Sequence, residues 1–133
     1  MYELIDVIAS QMDRNIFLKN TITGTVDRCF DYSMMVSNDN FEFMKIGIEY
    51  NCKIMLFGEV VNESTEGAQK VLVVTDEIQQ VGNTGFIKVR IGADEYYVFS
   101  GDVDLKQNQK FFFYRFSRKD LIEVDGKVNH DFD

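Results

Sequence analysis

The chain contains two stretches that repeat one pattern of residues. Ile46–Phe57 aligns without a gap on Val103–Tyr114, and a shorter match upstream joins Thr23–Val26 to Thr84–Ile87. Self-similarity at a fixed spacing is the mark of a structural unit that is used twice. We therefore predict a duplicated fold, in which each unit has about half of the 133 residues.

The composition predicts that both units are built of strands. The chain has 12 Phe and 6 Tyr and no Pro, and aromatic residues favour strands. Short apolar runs alternate with turn residues, about five runs to a unit, as expected of a small barrel. We predict a mainly β protein of two tandem SH3-like or OB-like barrels related by internal duplication, over residues 15–75 and 76–126, with a flexible tail over residues 127–133.

The spacing of apolar residues is different ahead of the first barrel. Leu4, Ile5, Ile8 and Met12 recur at intervals that place them on one face of a helix. We predict a short amphipathic N-terminal helix over residues 1–14 that covers the open end of the first barrel.

The segment from Leu4 to Asn38 resembles the first motif of Sm-like and Hfq-like RNA-binding proteins. The resemblance rests on a helix followed by Ile16–Asn20, then Gly24-Thr25-Val26, then the run Phe30-Asp31-Tyr32-Ser33-Met34-Met35-Val36. It covers about a quarter of the chain and implies a small barrel. It also implies that Asp31, Tyr32 and Met34 lie near a pocket for an RNA base.

The chain is acidic in both halves. It has 22 acidic residues against 14 Lys and Arg, a formal net charge of −8. Such a charge keeps a protein soluble, weakens non-specific attraction to nucleic acid and anionic membranes, and steers it toward basic partners.

Neither a cofactor nor a metal ion is predicted, and we do not expect an enzyme. Cys29 and Cys52 have no counterparts in the second repeat, and the one histidine, His130, is far from both in the sequence. Two free thiols favour a reducing compartment. No apolar run approaches the 18 residues of a membrane span, and no signal peptide is recognisable. We therefore predict a cytoplasmic protein without membrane association.

Two continuous apolar runs suggest how the chain binds a partner. Ile54–Phe57 and Phe111–Tyr114 are apolar at every position, whereas a strand with one face in water alternates. Both faces must therefore be covered, one by the barrel and the other by the sister unit or by another copy of the chain. We predict a non-enzymatic protein-interaction module, an adaptor or an inhibitor. Its predicted interaction surface is Met55, Phe57, Phe112 and Tyr114.

The alternative function is binding of single-stranded RNA or DNA, because small barrels often stack bases on exposed aromatic rings. Basic and aromatic residues are concentrated in the second unit. The candidate nucleic-acid-binding residues are Lys88, Arg90, Tyr96, Tyr97, Arg115 and Arg118, with Phe99 and Lys119 nearby in the sequence.

Overall fold

A computed structural model describes residues 1–9, 13–31 and 40–132 as a mainly β protein. Eleven strands follow one another along this part of the chain. They are β1 Tyr2–Ala9, β2 Arg14–Asn20, β3 Val26–Asp31, β4 Glu49–Tyr50, β5 Cys52–Val60, β6 Gln69–Val73, β7 Gln79–Val81, β8 Thr84–Ile91, β9 Asp94–Phe99, β10 Phe111–Val124 and β11 Lys127–Val128. Two single 3-10 turns, Ser100–Asp102 and His130–Phe132, complete the structure.

The long strand β10 is the centre of the sheet. Along one edge it pairs antiparallel with β5 over nine residue pairs. Along the other edge it pairs in turn with β6, with β3 and with β11. The contact with β3 is parallel, as is that between β5 and β9, so the sheet is mixed.

The pairings form two closed circuits that share β5 and β10. One circuit runs from β5 through β10, β6, β8 and β9 back to β5. The other circuit runs from β1 through β2, β3 and β10 to β5. It closes because β4 pairs with β1, and only Asn51 separates β4 from β5. The circuit that contains β1, β2 and β3 of the first half therefore also includes β10 of the second half. The circuit that contains β8 and β9 of the second half also includes β5 and β6 of the first half.

Two tandem barrels are accordingly not confirmed. Strands from the two predicted units are neighbours in one sheet: β6 of the first unit pairs with β8 of the second, and β5 pairs with β10. The coarser prediction, a mainly β protein, is confirmed.

The predicted N-terminal helix is wrong, because residues 2–9 form strand β1. The register against β2 shifts between Leu4 and Asp6, which marks a β-bulge. The bulge places Tyr2 and Leu4 in the core and brings Val7 against it, so inward positions are separated first by two residues and then by three. A spacing of three imitates a helix, while Ile5 and Ile8 are exposed.

Two hydrophobic clusters lie on opposite faces of the central strands. Ile54 and Leu56 contribute to the larger cluster and Met55 to the smaller one. The prediction that both apolar runs are covered on both faces holds for Ile54, Met55 and Leu56 only: Phe57 is 49% exposed, and in the second run Phe111 is 42% exposed.

Residues 127–132, predicted as a flexible tail, pack against the smaller cluster. Val128 and Phe132 contact it, and Asn129 is buried with its side-chain amide donating to the carbonyl oxygen of Leu121 at 3.1 Å.

Candidate functional site

A groove lies on the face of β3, β10 and β5 beside the smaller cluster. Its volume is about 390 Å³. We call it the phenylalanine groove, because four of its lining side chains are phenylalanines. The described residues that line it are Phe30, Met55, Leu56, Phe57, Thr84, Phe99, Asp102, Arg118, Asp120, Asn129, Asp131 and Phe132.

Arg118 lines the groove and lies between two aromatic rings. Its guanidinium carbon lies 4.3 Å from the ring centroid of Phe57 and 4.9 Å from that of Phe30. The guanidinium also donates to both carboxylate oxygens of Asp120, at 2.6 and 3.0 Å. This combines the two contacts that a guanidinium prefers, a ring face and a bidentate carboxylate.

The sheet brings these side chains together because they are cross-strand neighbours. Arg118 pairs with Phe57 on β5, and Asp120 pairs with Phe30 on β3 and Met55 on β5. Directly paired residues project from the same face of a sheet.

Two further rings, those of Phe99 and Phe132, also line the groove. Phe99 and Phe132 each meet the buried Phe86 edge to face, with centroid separations of 6.4 and 5.5 Å. Phe99 is 41% exposed although it is in contact with the core.

Two glycines permit the close packing of the chain against Phe99 and Phe132. A Cβ on Gly101 would lie 2.6 Å from a ring carbon of Phe99, and one on Gly82 would lie 2.1 Å from the backbone oxygen of Phe132. Gly82 also has φ +59°, which disfavours other residues, and the next amide, Asn83, donates to that same oxygen at 2.7 Å.

The groove is acidic at its rim. Asp102 and Asp131 are exposed, whereas Asp120 is largely buried. Burial raises the pKa of the Asp120 carboxyl, Arg118 opposes this, and the charge of Asp131 adds to the rise. The groove is lined by three carboxyl groups and one guanidinium, so its net charge is negative, like that of the whole protein.

Two of the four predicted interaction residues line the groove, and two do not. Phe57 is 49% exposed, and Met55 is a largely buried part of the wall. Phe112 and Tyr114 lie in the larger core cluster with under a tenth of their surface exposed, since they alternate with the outward-facing Phe111 and Phe113. A Phe112→Asp change would therefore disrupt the core rather than separate two units.

The predicted nucleic-acid-binding residues do not form one surface. Tyr96 and Tyr97 are buried, and the Tyr96 hydroxyl donates to the buried Asp27 carboxylate at 2.9 Å. Burial, followed by the charge of Asp27, raises the pKa of Tyr96. A base cannot stack on either ring without displacing core contacts.

The basic residues of that set are dispersed and largely neutralised. Arg90 is exposed on β8. The other four cations each contact an acid: Lys88 contacts Glu95, Arg115 contacts Glu59, Arg118 contacts Asp120 and Lys119 contacts Asp27.

A second cavity of about 570 Å³ lies behind Arg118 and contains more cations. Arg28, Arg118 and Lys119 line it together with Phe30, Phe116, Asn15, Ser117 and Asp13. It adjoins the bulge of β10 between Phe116 and Arg118.

The residues of the Sm-like resemblance are only partly described. Asp31 is buried, and its carboxylate lies 2.7 Å from the guanidinium of Arg14. Tyr32 and Met34 lie outside the described residues.

Both cysteines are free. Burial raises the pKa of the Cys29 thiol and raises that of Cys52 to about 12. Both thiols are therefore protonated at neutral pH and are weak nucleophiles. Within residues 1–9, 13–31 and 40–132, no three His, Cys, Asp or Glu side chains are grouped so that they could hold a metal ion.

Sequence reasoning missed most of the groove. Phe30, Asp102, Asp120, Asp131 and Phe132 come from separate strands and turns, and no linear spacing connects them. The one available signal was Phe57, an apolar residue at the end of an unbroken apolar run.

Comparisons with known proteins identify no family for this chain. No family model matches the chain, and no curated protein or solved structure matches it significantly. Among the described residues, no helix has the length and apolar character needed to cross a membrane.

Proposed function

We propose that this protein is a non-enzymatic interaction module, and that a partner protein docks in the phenylalanine groove. The observation that carries the proposal is the partial exposure of Phe57 and Phe99, which line the same acidic cavity.

The energetic argument concerns these two rings. A buried phenylalanine contributes about 1.5–3 kcal/mol relative to an exposed one, so leaving two of them partly in water has a cost that a partner can remove. Aromatic side chains that fill a pocket carry most of the binding energy in many interfaces. The acidic rim and the net charge of −8 favour a basic partner and speed the encounter with it.

The cytoplasm is the proposed location. Two thiols that are free and protonated support a reducing compartment.

We also propose that the two circuits of strands are small barrels that arose by duplication and exchange their long strands. Each has a hairpin, β2–β3 or β8–β9, whose second strand pairs in parallel with the long strand of the other half. The support is structural: Asp120 of β10 pairs with Phe30 of β3 just as Met55 of β5 pairs with Tyr97 of β9, whereas the sequence repeat aligns Met55 with Phe112.

The docking proposal is tested by affinity capture from source-cell lysate after nuclease treatment. The wild type is compared with Phe57→Ser and Phe111→Ser. Phe111 is a matched control: it is 42% exposed, also lies on a strand, and does not line the groove. We expect a partner that survives nuclease and is lost only with Phe57→Ser. Equal capture by all three proteins would contradict docking at the groove.

Single-stranded nucleic-acid binding is the alternative proposal, and the cavity lined by Arg28, Lys119 and Phe116 favours it. A nucleic-acid ligand would be held at low salt and released steeply as salt rises. Arg28→Ala would then weaken binding, and Phe57→Ser would have a smaller effect.

A further inference from the structure

We infer that the part of the phenylalanine groove lined by Phe99 and Phe132 binds an arginine side chain of a partner protein. This rests on the proposed docking function and names the chemistry that the groove recognises.

The first argument is that the groove already binds one guanidinium. Arg118 shows what the walls accept: a planar cation against phenylalanine rings, with a carboxylate in its plane. The same groove offers a second pair of rings, Phe99 and Phe132, and two more carboxylates, Asp102 and Asp131.

The second argument is charge. Arg118 offsets Asp120, so the carboxylates of Asp102 and Asp131 leave the groove with a net negative charge. A cation entering there meets an attractive potential in a site with apolar walls, where electrostatic interactions are stronger than in open water. An anionic or neutral polar side chain has no such compensation for its lost hydration.

The third argument is that the rings are held in place before binding. Both pack on Phe86, which has no exposed surface, and Gly101 and Gly82 permit close backbone approach. A preformed site does not lose the conformational entropy of ordering its own side chains when it binds.

The guanidinium is favoured over other cations because of its shape. It is flat, so one face can lie on a ring while its edge donates two hydrogen bonds to a carboxylate. An ammonium group, such as that of Lys119 between the Tyr96 ring and Asp27, has no flat face to stack on a ring while it donates two parallel hydrogen bonds.

The test is an NMR titration of the full chain with four blocked pentapeptides, acetyl-Gly-Phe-X-Phe-Gly-amide. X is arginine, its neutral isostere citrulline, lysine or trimethyllysine. We expect the arginine peptide to shift the amide signals of Thr84, Phe99 and Asp131, and to bind about tenfold or more tighter than the citrulline peptide.

Charge variants show whether the effect is local. Asp102→Asn with Asp131→Asn removes two negative charges at the groove. Asp76→Asn with Asp104→Asn removes two exposed charges that do not line it. We expect the first pair to abolish the preference for arginine over citrulline and the second to leave it within about twofold.

Several outcomes would overturn the inference. Equal affinity of the arginine and citrulline peptides at the groove would be compatible with the docking proposal. It would show that the positive charge of arginine does not contribute to binding. Tighter binding of the trimethyllysine peptide, signal shifts away from the groove, or no shift with any peptide would each overturn the assignment to arginine. Displacement of the arginine peptide by oligouridylate from the same amides would overturn it in favour of nucleic acid, and self-association detected at the same amides would overturn it in favour of a second copy. The docking proposal is tested separately, by whether capture of the partner is lost with Phe57→Ser.

Discussion

Arg118 affects both the charge of the groove and the stability of the fold. Its guanidinium compensates the Asp120 carboxylate, whose pKa is raised by burial above the ordinary 3.8. Arg118→Met removes that compensation and raises this pKa further. We expect a loss of about 1–2 kcal/mol of unfolding free energy at neutral pH, measured by urea unfolding monitored with circular dichroism.

The pH dependence of this loss has a definite sign. The folded variant binds the Asp120 proton more tightly than the unfolded chain does, so the loss is full at neutral pH and shrinks as pH falls toward the ordinary carboxyl pKa. Adding Asp120→Asn to Arg118→Met removes the titrating group and should abolish this pH dependence. A loss of the same size at about pH 4 and about pH 7 would show that Asp120 does not depend on Arg118.

At the scale of elements, β5 and β10 approach each other closely beside the bulge of β10. A Cβ on Gly58 would lie 2.0 Å from the backbone oxygen of Arg115 and 2.6 Å from the Cα of Phe116. Gly58→Ala must therefore force the two strands apart. We expect a loss of about 3 kcal/mol in thermal or urea unfolding.

Gly24→Ala is the control for that variant. Gly24 has φ +80°, but a Cβ at this position would meet no atom within 4 Å, so only backbone strain opposes the change. We expect a loss of about 1 kcal/mol. If Gly58→Ala cost no more than Gly24→Ala, the close β5–β10 contact would be incorrect.

The same elements show what sequence patterns can and cannot predict. The unbroken run at Ile54–Phe57 correctly indicated core on both faces of β5 at Ile54, Met55 and Leu56, but the same pattern did not reveal that Phe57 and Phe111 are partly exposed. The bulge in β1 was invisible, since it turns an alternating pattern into one with a spacing of three. The groove was not predictable either, because Asp120 and Phe30 become neighbours only through a parallel pairing of strands distant in the sequence.

At the scale of the whole molecule, the halves depend on each other. Nine residue pairs join β5 to β10, and β3 and β9 each pair with the long strand of the other half. A half chain on its own would expose these edges and part of the shared core. We expect neither half to fold alone.

Cleavage in the exposed loop between β5 and β6 tests this. A protease site inserted after Ser64 is cut in the folded protein, and the two fragments should stay associated as one 15.4 kDa species in gel filtration. After separation in denaturant, each fragment should give the NMR spectrum of an unfolded chain, and remixing should restore the dispersed spectrum. A dispersed spectrum from either isolated fragment would instead support two independent barrels.

Site-specific photocrosslinking in source cells tests the docking claim most directly. Benzoylphenylalanine replaces Phe57 in one variant and Phe111 in the other, two positions of similar exposure. We predict one crosslinked partner protein from position 57 and not from position 111, with the crosslink in a peptide that contains arginine. The same products from both positions, or products from position 111 alone, would contradict the proposal that this protein acts through the phenylalanine groove.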